Sequence, residues 1–288
     1  MHYVTRDGLN LTDRPAGAGT ERKDTVERSV RSPFSKHFSR VAASYNELRV
    51  TDPEPVDLMA RSLTGLPPVT AADVGCGTGR YAIELMRRLG DTAFVYFIDR
   101  SRHMLEQLRA DLALLDVPRF EILHSQAERL PLPEDSLDCM LTFNAVHHFD
   151  LTSFFREAGR TLRPGGLLFI YTRFRDQNER GIWGQHFPDF AEKEKRLYDE
   201  DHLMRTIGRA DGLTVRDLTR FSFQRSATLD CLIHRVRNKH YSTFCFYEPD
   251  ELERAIGGFE ANLKKRFGAL DTLEWVDENV MITAEKVW

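Results

Sequence analysis

Apolar residues recur at three- and four-residue steps over Phe34, Phe38, Val41, Tyr45 and Leu48, the spacing of an amphipathic helix. Ahead of them, residues 1–32 are polar, mix charges without an apolar stripe and carry Pro15, Gly17 and Gly19, which predicts a disordered tail. From 69 to about 171 short apolar runs alternate strictly with amphipathic stretches. Strands are predicted at 69–74, 93–98, 120–123, 137–143 and 166–171, the last following the turn Arg163-Pro164-Gly165. Helices are predicted at 80–89, ended by Gly90, at 101–115 with Ser101 as cap, and at 149–162. Such alternation implies βαβ units and a parallel sheet. Beyond 171 it breaks. Two more strands are expected at 213–221 and 280–287, the second at an edge or antiparallel. A helix is expected at 248–267, weakened in its middle by Gly257-Gly258. No repeat of solenoid period is present.

Composition narrows the class. The chain has 288 residues, 41% of them apolar and 10% aromatic, enough for one sizeable α/β core. A net charge of −4 gives no general attraction to nucleic acid or anionic membrane. No apolar run reaches the ~20 residues of a membrane span, and the N-terminus lacks the apolar stretch of a signal peptide, so a cytoplasmic location is expected. Cys76, Cys139, Cys231 and Cys245 lie far apart without a CxxC pair, which predicts reduced thiols and no metal site.

The stretch with the most specific chemistry is Asp73-Val74-Gly75-Cys76-Gly77-Thr78-Gly79-Arg80. Three glycines at alternate positions between a first strand and a first helix let backbone amides approach a ligand at the positive end of that helix. A dinucleotide fingerprint would read GxGxxG; here the spacing is GxGxG and Arg80 follows, which disfavours a nicotinamide-dependent dehydrogenase. The next strand ends in Asp99, where a carboxylate can accept from both hydroxyls of a ribose.

Over roughly residues 34–172 the chain resembles the class I, Rossmann-like S-adenosylmethionine-dependent methyltransferases, in particular the small-molecule branch typified by ubiquinone and menaquinone biosynthesis enzymes. "DVGCGTGR" is similar to the family's loop under the methionine part of the cofactor, "FIDRSRHML" to its second motif, "SQAERLPLPEDSLDCMLTFNAVHHF" to the fourth-strand motif and "REAGRTLRPGGLLFIYTRF" to the supporting helix, turn and strand. The resemblance implies a doubly wound, mostly parallel seven-stranded sheet with helices on both faces and a helical, aromatic lid over the C-terminal strand edge. It implies one domain over 33–288, with lid and substrate elements at 33–50, 173–205 and 222–267. S-adenosyl-L-methionine is the implied cofactor, held by Asp73, Gly75, Cys76, Gly77 and Gly79, by Asp99 and Arg100, by Met104 beside the adenine, and by Asn144. Tyr45 and Arg49 match the helix that closes over it. Where the family commonly has Asp-Ala-Glu after the third strand, this chain has Gln126-Ala127-Glu128, so either the Gln126 amide or the Ala127 backbone takes the adenine contact.

The expected reaction is in-line displacement onto a small-molecule acceptor, in which the protein mainly aligns the nucleophile. His147 and His148 stand where the resemblance places the transferred methyl and are the candidate bases for an acceptor that must lose a proton. The acceptor pocket is expected from Arg173, Trp183, His186 and Phe187 after the fifth strand and from Arg237, His240 and Tyr241 further on. Aromatic walls with a few cations suit a flat or partly acidic molecule. A nucleic-acid methyltransferase is disfavoured because Asn144-Ala145-Val146-His147 stands where an Asn/Asp-Pro-Pro-aromatic motif would be, and because the charge is acidic. A non-catalytic module that binds S-adenosylmethionine or scaffolds a partner is the other alternative.

Overall fold

The structure is a computed structural model and describes residues 49–65, 68–115 and 119–288. The expected tail, the helix over 34–48 and Tyr45 lie outside the described residues. Helix α1 (Pro53–Ser62) leads into β1 (Val69–Val74), α2 (Arg80–Leu89), β2 (Ala93–Asp99), α3 (Arg102–Ala113), β3 (Phe120–His124), β4 (Leu137–Phe143), α4 (Leu151–Thr161) and β5 (Leu162–Thr172). These five strands pair in parallel. β1 and β4 are buried almost end to end, as strands covered on both faces must be. Local chemistry sets the helix starts: Ser101 Oγ accepts from Met104 N, and Asp150 Oδ1 accepts from Ser153 N at 2.9 Å, so α4 begins at Leu151 rather than 149. The Arg163-Pro164-Gly165 turn is absorbed into β5 as an irregularity, where the register jumps from Leu137↔Leu162 to Cys139↔Leu167.

After β5 come three short helices, α5 (Arg175–Arg180), α6 (Ile182–His186) and α7 (Phe190–Lys193), then α8 (Glu200–Gly208) and β6 (Leu213–Ala227). Helices α9 (Leu229–Arg237) and α10 (Pro249–Phe267) precede β7 (Leu273–Lys286). The sheet order is β3-β2-β1-β4-β5-β7-β6, with β7 antiparallel to both neighbours. The sheet is therefore mixed, with one reversed strand. That strand is antiparallel, as expected, but lies inside the sheet rather than at an edge. Residues 279–284 are all buried, so this apolar run needs cover on both sides, while the charged, largely exposed β6 takes the edge.

Both late strands are longer than expected. The last β5–β7 pair is Thr172↔Val280, whereas β6 and β7 continue to Ala227↔Leu273. A two-stranded ribbon thus projects beyond the C-terminal end of β5, and α9 and α10 hang from its tip. They pack with α5–α7 into a cover with its own core, in which Trp183 stacks on Phe259 at 5.1 Å and Phe187 meets Phe244 at 5.1 Å edge-on. Helix α10 runs unbroken through Gly257-Gly258. A Cβ on Gly258 would sit 2.8 Å from Pro188 Cγ, so this close approach requires the glycine that propensity alone disfavours. Among the described residues no helix is long and apolar enough to cross a membrane.

Candidate functional site

The chain reverses its direction of winding between β1 and β4, and the crevice outside the strand ends there is where open α/β sheets bind ligands. A continuous cavity of about 250 Å³ opens at that point, between the strand ends and the cover.

Its floor is the glycine loop. Gly75 and Cys76 both donate to Ile98 O (2.8 and 3.1 Å), which ties the loop to β2. Gly75, Gly77 and Gly79 have φ of +71°, +56° and +74°, the left-handed region. Their surroundings differ. A Cβ on Gly75 would lie 2.7 Å from Ala145 Cβ, and one on Gly79 2.7 Å from Leu108 Cδ1 and 2.9 Å from Phe97 Cε1. A Cβ on Gly77 would meet nothing within 4 Å, because it would point into the cavity. Two glycines are thus required by packing and one by the open floor.

Carboxylates flank the loop. Asp99 accepts from Gly77 N at 2.9 Å and from Ser101 N at 2.7 Å, and burial still raises its pKa. Asp73 is buried, and its Oδ1 has no hydrogen-bond partner among the described residues. Burial first, and the Asp99 charge second, hold this carboxyl well above the ordinary carboxylate range. Arg100, Met104, Ala127, Glu128 and Asn144 complete this half of the wall. Gln126 is exposed and does not line the cavity, nor does Gly79.

His147 and His148 sit on the 3-10 turn after β4 (Val146–His148), their rings 4.3 Å apart. Burial, then the Arg196 and Arg49 charges, lowers His147 to about 3, and burial with the His147 neighbour lowers His148 further. Both imidazoles are neutral at pH 7, and His147 Nδ1 is buried without a partner among the described residues.

The other half of the cavity is made by the cover and ribbon. Arg225 grips both oxygens of Asp52 (2.7 and 2.8 Å) and reaches Asp277 at 3.4 Å. Arg173 is 3.9 Å from Asp277. Arg49 donates to the His240 carbonyl and lies over the Tyr241 ring. Glu194 is buried, accepting from Arg196 Nε at 2.8 Å and Thr243 Oγ1 at 2.5 Å. Tyr81 stacks on Phe143 at 4.0 Å, with Tyr171 beside them. Of the acceptor-side residues expected from sequence, Arg173, Trp183, His240 and Tyr241 line the cavity. Phe187 is in the core of the cover, His186 lies on an outer groove with Phe267, and Arg237 is exposed in an ion pair with Glu253. Asp52, Glu194, Arg225 and Asp277 line it without having been singled out. Arg225 and Asp277 carry one sequence signal, the period-two pattern of the ribbon strands, whereas Asp52 and Glu194 lie outside those strands.

Residues 71–166 match the family described as "Methyltransferase domain". A malonyl-[acyl-carrier protein] O-methyltransferase of Dechloromonas aromatica is 30% identical over 143 residues, 50% of this chain and 51% of that protein. A demethylmenaquinone methyltransferase of Oceanobacillus iheyensis is 34% identical over 98 residues, 34% of this chain and 41% of that protein. The chain thus spans about half the length of the curated relatives it matches. The crystal structure of a putative methyltransferase from an antibiotic biosynthesis pathway of Anabaena variabilis shares the fold, with a TM-score of 0.61 and 22% identity over 82% of this chain and 98% of that one. The match over 71–166 and the shared fold agree with what the motifs imply.

Proposed function

We propose that this chain binds S-adenosylmethionine at the ends of β1, β2 and β4 and transfers its methyl group to a small organic acceptor, aromatic or acidic, held under the cover formed by 173–205 and 222–267. One conjunction carries this reading: an unpartnered buried carboxylate oxygen on Asp73, beside a glycine whose missing side chain leaves the cavity floor bare, inside a methyltransferase-family domain. Asp73 suits the cofactor's ammonium, and a cation there would remove the cost of burying its charge. Asp99, already holding two backbone amides, has lone pairs left for ribose hydroxyls. Met104 and Ala127 offer apolar surface for the adenine.

When bound, the sulfonium supplies an activated methyl, whose bond to sulfur breaks, with the electron pair leaving on sulfur, as the acceptor bond forms. The chain's own task is alignment and exclusion of water, worth ~7–11 kcal/mol in well-oriented reactions. The aromatic cover and the Tyr81–Phe143 stack serve the exclusion. His147 and His148, neutral and lining the cavity, orient the acceptor, and the burial that keeps them neutral makes them weak bases for one that must lose a proton.

The test is calorimetric binding of S-adenosylmethionine, followed by a screen of metabolite pools for S-adenosylhomocysteine release and for a product heavier by one methyl. A chain that binds the cofactor and releases nothing with any pool would refute transfer.

A further inference from the structure

The acceptor half of the cavity holds more positive charge than its own acids balance. Arg49, Arg173, Arg225 and Arg235 line it, against Asp52, Glu194 and Asp277. Glu194 is already matched by Arg196 behind the wall. Asp52 is taken by Arg225, which also shares Asp277. Among the described residues Arg173 is left with one ion pair, a distant one, Asp277 at 3.9 Å.

Arg173 is the decisive group. Its side chain is only 13% exposed, and its guanidinium makes no hydrogen bond to any described residue. A guanidinium carries five N–H donors in a rigid fork, and those of Arg173 open on the cavity. Such a fork matches a planar two-oxygen anion. The Tyr241 ring stands beside it, 5.9 Å from Arg173 Cζ and 4.5 Å from Arg49 Cζ, so two cations share one aromatic edge of the cavity. His147 Nδ1, buried and unpartnered, belongs to the same cavity.

We propose that the acceptor carries a carboxylate, received by the Arg173 fork with Arg49 and Tyr241 beside it, so that the substrates are small organic acids with a flat body. This deepens the methyl-transfer reading and rests on it. A carboxylate fits better than a phosphate because Asp277 partly offsets Arg173, and a dianion there would face Asp277 with too little positive charge left over. The rings of Tyr81, Phe143 and Tyr171 suit the flat body.

The experiment titrates the full chain, saturated with S-adenosylhomocysteine, with benzoate, benzamide and phenyl phosphate, followed by ligand-observed NMR. Benzoate should bind at least tenfold tighter than either of the others. Arg173→Gln should abolish that preference and Arg173→Lys retain part of it, with S-adenosylhomocysteine affinity within twofold of the wild type in both. Benzoate no tighter than benzamide, phenyl phosphate tighter than benzoate, or an Arg173→Gln variant that keeps the preference overturns the carboxylate clamp, and intact S-adenosylhomocysteine binding then leaves the methyl-transfer reading standing. Failure of the wild-type chain to bind S-adenosylhomocysteine removes both.

Discussion

Replacing each loop glycine by alanine separates the part of the motif that builds the fold from the part that meets the ligand. All three positions have positive φ, so each alanine carries a backbone cost of roughly 1–2 kcal/mol. At Gly77 nothing more is added, because the new methyl meets no protein atom within 4 Å. At Gly75 the methyl falls 2.7 Å from Ala145 Cβ and 2.8 Å from Phe149 Cζ, and at Gly79 it collides with Leu108 and Phe97, both fully buried. Overpacking of this kind adds about 1–3 kcal/mol, for a total of roughly 2–5 kcal/mol. At about 2–4 °C per kcal/mol for a chain of this size, Gly77→Ala should lower the melting midpoint by only a few degrees, and Gly75→Ala and Gly79→Ala by roughly twice as much. Ligand binding should show the opposite order. Gly77→Ala should weaken S-adenosylhomocysteine at least tenfold by calorimetry, since its methyl occupies ligand space, while the folded fraction of Gly79→Ala should bind within a few-fold of the wild type. Wild-type affinity in Gly77→Ala, or a Gly79→Ala variant that melts like the wild type yet loses the ligand, would refute the division of roles.

Three further expectations concern charge. Burial first, and the Asp99 charge second, raise the pKa of the Asp73 carboxyl; an ammonium beside it should lower it again, so cofactor binding should release protons near that raised pKa and affinity should rise with pH through it. Calorimetry of S-adenosylmethionine in buffers of different ionisation enthalpy checks this, and a buffer-independent enthalpy at every pH of the titration would exclude it. His147 has a folded pKa of about 3 against about 6.5 unfolded, so the unfolded chain binds the extra proton between those values and stability is lost as pH falls below about 6.5. Because one side of the ring faces the cavity, His147→Phe should gain about 1–2 kcal/mol on the wild type between pH 7 and pH 5 in urea unfolding; a constant difference would show that His147 charges freely. Arg225→Met strands the buried Asp52 carboxylate and should cost about 3–5 kcal/mol, most of it recovered in Asp52→Asn/Arg225→Met. Equal losses in the single and double variants would mean that the pair is not what holds Asp52.

The two halves of the cavity differ in how much of them can be read from the chain, and the reason is distance along the sequence. The cofactor half is built within one βαβ stretch: Gly77 meets Asp99 only 22 residues on, so a short motif carries both the loop and its carboxylate. In the acceptor half, Asp52 meets Arg225 across 173 residues and Arg49 meets His240 across 191. The first part of the cover uses helices of four to six residues, too short to show a periodicity that would sort Trp183 on the cavity from His186 outside it. Yet one part of this half was readable in principle. The ribbon segment Leu-Glu-Trp-Val-Asp-Glu-Asn before the apolar end of β7 looks like a loop because three of its seven side chains are charged. Read as a strand, its period of two puts Trp275, Asp277 and Asn279 on one face, and all three line the cavity, whereas Glu274, Val276 and Glu278 do not. The obstacle was therefore the extent of the strand rather than the chemistry of its residues: polar alternation past the end of a buried run signals a ribbon standing free of the sheet, and the face that carries an aromatic, an acid and an amide together is the face toward a ligand.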